Sequence, residues 1–403
     1  MKNSLSKVFE NVSKKFLFKR RFPLLLSTYM RFSSIMGISI VLQLYMIDLG
    51  ANLFHVGLLS TLRGIAAVSF SPIWGILSDR KDRKSYLILS SFISLIVLLF
   101  YPTASTVILL MVLVFIFSLA NAGFNPIATA LSSESSEKRG IEISFFNSAL
   151  AAGNFTSRVM MGVFLIWISV RVSLWLFALV FAFSIIPLFF IKERERNTKF
   201  ARKRNFLMNV EDFHLMKNNG LWSVYIASFM RQAGTSGWLS LIAVYLVYAV
   251  KLSPSTVGFI SGLNPLVQIF STLYFAKLVE KRNAKQVMIV GMLLSALSPF
   301  LLAIVKNSIG ASIAFGILGL GYGAFISGTT TYISFATPSD LRGRFMGLFS
   351  SSRSMGSIVG PLVAGGVATI LGYKFMFFLM VAFEIASFFV IKEFFKEKYF
   401  STK

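Results

Sequence analysis

The sequence predicts an all-α membrane protein with twelve transmembrane helices in two similar six-helix bundles. Three observations carry that reading. Apolar stretches long enough to cross a bilayer recur along almost the whole chain, lysine and arginine gather on alternate loops, and the second half repeats the first. At 403 residues, 55% hydrophobic and only 14% charged, the chain is too apolar for an ordinary soluble domain. A hydrocarbon core of about 30 Å takes about 20 apolar residues per crossing helix.

A tail of residues 1–21 holds seven of the 40 lysines and arginines. The span after it, 22–48, is too long for a signal-peptide core and has no small-residue cleavage site, so it is read as permanent. Spans at 54–77, 86–104, 106–131, 141–170 and 172–191 complete a first bundle, 22–191. The segment 192–220 is polar and basic and reads as a linker. Spans at 221–250, 254–278, 287–305, 308–336, 345–371 and 374–392 make a second bundle, 221–392, and 393–403 is a short tail. Counted by loop, 31 of the 40 basic residues fall on the side of the termini and the linker, 4 on the other side and 5 inside spans. Cytoplasmic loops carry the basic excess, so the termini and linker are expected in the cytoplasm of a multi-pass plasma-membrane protein.

The net charge of +24 then reports orientation and attraction to anionic lipid headgroups, and no nucleic-acid partner is expected. There is no cysteine, which excludes thiol chemistry. His55 and His214 fall at loop positions, and no H-E-x-x-H, G-x-S-x-G or phosphate-loop pattern occurs. An enzyme is therefore not expected, nor a cofactor or a metal. If the protein moves a small molecule actively, a coupling ion moving down its gradient has to drive it. A monomer is expected.

The halves match in register. "STYMRFSSIMGISIVLQLYM" from Ser27 lines up with "ASFMRQAGTSGWLSLIAVYL" from Ala227, placing Arg31 on Arg231 and Tyr45 on Tyr245. "GILSDRKDRK", Gly75 to Lys84, lines up with "AKLVEKRNAK", Ala276 to Lys285, with Asp79 on Glu280. Gly153 and Gly162 fall on Gly356 and Gly365. A same-orientation repeat of six-helix halves is a plan of secondary transporters, with a central site between the halves.

Gly75, Leu77, Asp79, Arg80, Arg83 and Lys84 match the loop between helices two and three of the major facilitator superfamily, roughly G-x-L-x-D-R-x-G-R-K. The chain departs from that pattern at Asp82, where the family prefers glycine. The resemblance covers the whole chain: span count, repeat, central linker and both loop motifs. It implies alternating access and a cytoplasmic gate, in which the acid at position 79 faces the N-terminus of helix eleven and the nearby bases pair with Glu134 or Glu137. "GLFSSSRSMGSIVGPLVAGG" from Gly347 resembles an antiporter glycine-proline motif, but lies in span eleven and is read as a packing feature.

Arg31, Arg63, Arg158, Arg231 and Arg353 lie inside spans. A central arginine costs at least about 2.5–3.5 kcal/mol on insertion scales, so it is expected to face a cavity or a partner. Each has polar neighbours at helical spacing, among them Asn154 beside Arg158, while Asn264, the repeat mate of Arg63, sits with Gln268. Among in-span acids only Glu384 lies deep, as a lipid-edge residue, a coupling acid or a sign of a misplaced span. The excess of buried cations leans toward an organic anion as substrate, gripped by Arg31 and Arg231 together, similar to the paired arginines of organophosphate antiporters in that superfamily. The alternative is efflux of lipophilic compounds, with contacts from aromatics such as Trp238 and Tyr322; a non-transporting receptor is more remote.

Overall fold

In this computed structural model the backbone is described for residues 2–80, 82–134, 139–191, 210–281, 283–338 and 341–395; side chains are described for these except 2–21, 80, 133–134, 139–141, 143–144, 210–213 and 280–281. The first half contains α1 (Lys2–Asp48), α2 (Leu53–Arg80), α3 (Arg83–Leu99), α4 (Val107–Asn121), α5 (Phe124–Glu134), α6 (Arg139–Trp167) and α7 (Val170–Ile185). The second contains α8 (Val210–Asn218), α9 (Leu221–Leu239), α10 (Ile242–Val244), α11 (Pro254–Lys281), α12 (Ala284–Ile304), α13 (Ser308–Ala336) and α14 (Arg342–Phe389). No strand occurs among the described residues.

Among the described residues, ten segments are long and apolar enough to cross a membrane. The predicted twelve are reached in two ways. The 53-residue segment Arg342–Phe394 bends at Gly372, whose φ of 83° lies in the left-handed region open to glycine, and so makes two crossings. α9 and α10 together form the seventh span, which is broken at Ser240 and Leu241.

Helix starts are set by side chains that accept the first free N–H groups. Thr106, Ser169, Asn283 and Asn307 cap α4, α7, α12 and α13. Asp82 caps α3, its carboxylate accepting from the N–H groups of Lys84 (3.1 Å) and Ser85 (3.2 Å). The departure from the family motif at Asp82 therefore has a local reason: this chain starts α3 on an acidic cap.

The described residues form two compact units, one within Met1–Ser39, Ala66–Met160 and Ile168–Arg202, the other within Ile40–Ile65, Met161–Trp167 and Lys203–Lys403. In the first, Leu24, Phe32, Leu87, Phe124, Ile127 and Leu188 belong to one buried apolar core. In the second, Leu221, Val279, Met288, Phe325, Tyr332 and Phe345 belong to another. Residues 40–65 and 161–167, which the hydropathy groups with 22–191, cluster with the second unit. Small residues permit this: a Cβ on Gly365 would stand 3.0 Å from the Leu53 carbonyl oxygen, and one on Gly162 3.1 Å from the Phe259 ring.

Gln43 joins α1 to the break after α9. Its Nε2 donates to the Leu239 carbonyl (3.1 Å), and its Oε1 accepts from the Ala243 N–H (3.0 Å). One amide thus serves two backbone groups at the place where the helix is interrupted. Gln43→Leu is expected to lower stability by about 1–3 kcal/mol, the cost of leaving buried polar groups unserved. Gln43→Glu, which accepts but does not donate, should fall between. A melting temperature unchanged in Gln43→Leu would sink this role.

Candidate functional site

Arg31 is 1% exposed, and its guanidinium is enclosed by its own unit. Nε and Nη2 donate to Asn121 Oδ1 at 3.2 and 2.6 Å, and Nη1 donates to Ser91 Oγ at 2.8 Å. The cation stands 4.1 Å from the centre of the Phe124 ring and 4.5 Å from that of Phe181. Two acceptors placed for a planar fork, between aromatic faces, suit a guanidinium better than an ammonium.

Arg231 is fully buried in an analogous cage. Nε donates to Ser295 Oγ at 3.0 Å, and the cation lies 4.4 Å from the Phe325 ring centre and 5.6 Å from that of Tyr322. The two cages correspond. Arg31 and Arg231 are 200 residues apart, Phe124 and Phe325 201, Asn121 and Tyr322 also 201. The fourth wall differs in kind: Phe181 in the first cage corresponds to Glu384 in the second, 203 residues on. Lys84 Nζ donates to the Phe189 carbonyl (2.6 Å) and Lys285 Nζ to the Lys392 carbonyl (2.8 Å), which fixes the same offset of 203 independently.

Glu384 is 0% exposed and lies within the membrane-crossing segment Arg342–Phe394, so it is neither at a lipid edge nor outside a span. Its Oε1 accepts from Thr235 Oγ1 at 2.7 Å.

The remaining predicted residues divide by unit. In the first, Arg158 is half-buried and donates through Nε to Asn154 Oδ1 at 3.0 Å. In the second, Arg63, Asn264, Gln268, Tyr322 and Arg353 are half-buried. Arg353 donates to Gln232 Oε1 and to the Tyr322 hydroxyl, each at 3.4 Å, and lies 5.6 Å from the Tyr322 ring centre. Trp238 is 0% exposed and packs edge-on against Phe315, ring centres 5.9 Å apart.

In the loop motif, Asp79 accepts from Arg83 Nε at 3.2 Å and also pairs with its Nη2. Gly75 has open space around it and Leu77 is exposed. The side chains of Arg80, Glu280 and Glu134, and all of Glu137, lie outside the described residues. Lys84 ties the start of α3 to the chain just after α7, a carbonyl-capping role that its place in a charge run does not announce.

Asn121, Ser91, Ser295 and Gln232 are partners that the in-span charges did not point to, because serine and asparagine are commonplace in apolar helices. The available signal was the repeat: carried through spans four, six, ten and twelve, it sets Asn121 on Tyr322 and Phe181 on Glu384.

The sequence model of the Major Facilitator Superfamily matches residues 24–246 and 221–401. The multi-drug resistance efflux pump PmrA of Streptococcus pneumoniae is 28% identical over 352 residues, 82% of this chain and 84% of the pump. The multidrug resistance protein MdtG of Klebsiella pneumoniae is 25% identical over 329 residues, 80% of this chain and 79% of MdtG. The crystal structure of the nucleoside transporter NupG superposes with a TM-score of 0.80 at 16% identity, covering 94% of this chain and 99% of that one. A bacterial homologue of the human lysosomal transporter Spinster, inward-facing and unoccupied, gives 0.77 at 15% identity over 95% and 99% of the two chains.

Proposed function

The chain belongs to the major facilitator superfamily, and on that premise we propose that it is a gradient-driven exporter of lipophilic small molecules and not an enzyme. The observation that carries this choice is the closed partnership of Arg31, whose guanidinium donates three hydrogen bonds and lies on two aromatic faces inside its own unit. A guanidinium so engaged is a poor grip for a substrate anion. Relatives named as multidrug efflux pumps support the same choice.

Taken unit by unit, the half-buried polar residues are the candidates for substrate contact: Arg158 and Asn154 in the first, and Arg63, Asn264, Gln268, Tyr322 and Arg353 in the second. Trp238, fully buried against Phe315, is set aside as a packing residue. Asp79, held by Arg83, serves a cytoplasmic gate, with Gly75, Leu77, Arg80, Lys84 and Glu280 in the same loop motif and its repeat. The distribution of lysine and arginine supports cytoplasmic termini and linker. The domain division follows the repeat: 22–191 and 221–392, joined by 192–220, between tails 1–21 and 393–403.

An organic anion is the second reading, favoured by the three half-buried arginines, Arg63, Arg158 and Arg353. Counterflow in proteoliposomes separates the two. Ethidium and tetraphenylphosphonium are expected to exchange across the membrane, and organophosphates and carboxylates are not. Counterflow of anions alone would overturn the exporter reading.

A further inference from the structure

The second cage is the first one rewritten around a charge. Asn121, which takes two hydrogen bonds from Arg31, gives way to Tyr322, and Phe181 gives way to Glu384. Both changes leave a polar atom open. Arg231 Nη2 and Glu384 Oε2 are buried without a hydrogen-bond partner, whereas Arg31 Nη2 has Asn121. The Trp238 indole N–H, three residues after Thr235 on the same helix, is likewise buried without a hydrogen-bond partner. A carboxylate oxygen left unserved away from water is costly, and a proton turns that atom into one that needs fewer donors.

The charged group facing Glu384 is Arg231 on α9; the Tyr322 ring on α13 lies between it and Arg353 on α14. The neutral groups are Thr235 and Trp238, also on α9. From Arg231 a chain of polar side chains runs outward to half-buried positions. The Tyr322 ring centre is 5.6 Å from both the Arg231 and the Arg353 guanidinium, and Gln232 continues to Ser357 Oγ at 3.1 Å.

We propose that Glu384 is a reversible proton-binding site, and that α9 responds to its protonation through Thr235 and Arg231. The step is a plain acid–base one. The carboxylate takes a proton from water on one side of the membrane and becomes a neutral acid, and it returns to the anion when that proton leaves to the other side. With the proton bound, Arg231 loses its counter-charge and the acid gains an O–H that needs an acceptor. The change falls on tightly packed backbone: a Cβ on Gly234 would stand 2.5 Å from Glu384 Cγ and 2.9 Å from the Met380 carbonyl oxygen. α9 then carries it to the break at Ser240 and Leu241, where Gln43 is bound.

This inference rests on the gradient-driven transport reading, and the experiment separates the two. The full-length chain in liposomes is titrated with pH while the infrared stretch of protonated carboxyl groups is followed. One titrating band from a dehydrated carboxyl should be present in wild type, absent in Glu384→Gln and shifted in Glu384→Asp. In parallel, ethidium accumulation is driven by a pH gradient. Glu384→Gln should bind ethidium with unchanged fluorescence polarisation and lose at least about tenfold in gradient-driven accumulation. A titration identical in wild type and Glu384→Gln, or wild-type accumulation by that variant, overturns the proposal. If wild type moves no ethidium, the exporter reading fails and the infrared titration still decides the proton site. If Glu384→Gln fails to fold, the shifted or unshifted band of Glu384→Asp decides it.

Discussion

Arg31→Ala is expected to destabilise the empty, purified protein by about 2–4 kcal/mol, before any substrate is present. Interhelical hydrogen bonds in membranes contribute about 0.6–2 kcal/mol each, and a desolvated cation over an aromatic face about 2 kcal/mol. Arg31 makes three such bonds and lies on two rings. The substitution also leaves Asn121 Oδ1 without its donors, so Asn121→Ala added to Arg31→Ala should cost little more. Arg31→Lys should recover part of the loss, because an ammonium does not reach Asn121 and Ser91 together. Arg231→Ala removes one hydrogen bond through Nε and also the charge that faces Glu384, so adding Glu384→Gln to it should recover part of its cost. The check is the melting temperature of detergent-purified protein without ligand. Unchanged melting in Arg31→Ala, with only ligand binding lost, would return Arg31 to the substrate.

Leucine at Gly153 or at Gly356 is expected to abolish recovery of monodisperse protein. These glycines are repeat mates, 203 residues apart, and each lies against the first span of its half. A Cβ on Gly153 would stand 2.5 Å from the Tyr29 carbonyl oxygen and 2.9 Å from Phe32 Cβ. On Gly356 it would stand 2.5 Å from the Phe229 carbonyl oxygen and 2.9 Å from the Ala233 nitrogen. The obstruction is backbone, which does not rotate away as a side chain would. Overpacking of this kind costs about 1–3 kcal/mol for extra methylenes and more where helices must separate. Alanine should be milder at both positions, because the methyl group is the whole insult and alanine favours the helix by about 1 kcal/mol over glycine. Gly316→Ala serves as the control, having open space around the added Cβ. Size-exclusion profiles decide it; a wild-type profile for either leucine variant would show that the helices can move apart freely.

The twelve spans and the superfamily were legible in the amino-acid order alone, because the cost of burying polar backbone and charge in hydrocarbon writes length and polarity directly into the sequence. The alternation of basic loops and the match of Gly75, Leu77, Asp79, Arg80, Arg83 and Lys84 to the loop motif are of the same kind: each is local, and each has few alternatives. Partnership is different. That Arg31 closes onto Asn121 and Ser91, that Gln43 reaches the break after α9, and that Glu384 meets Thr235 depends on which faces of distant helices come together. A lone arginine in a span says only that a partner or a cavity is needed, and serine, asparagine and aromatic rings are too common to say which one supplies it. Tertiary packing decided that Arg31 is satisfied within its own unit, and that in the second cage, where Gly234 lets α9 approach Glu384 closely, a carboxyl stands where the first has phenylalanine.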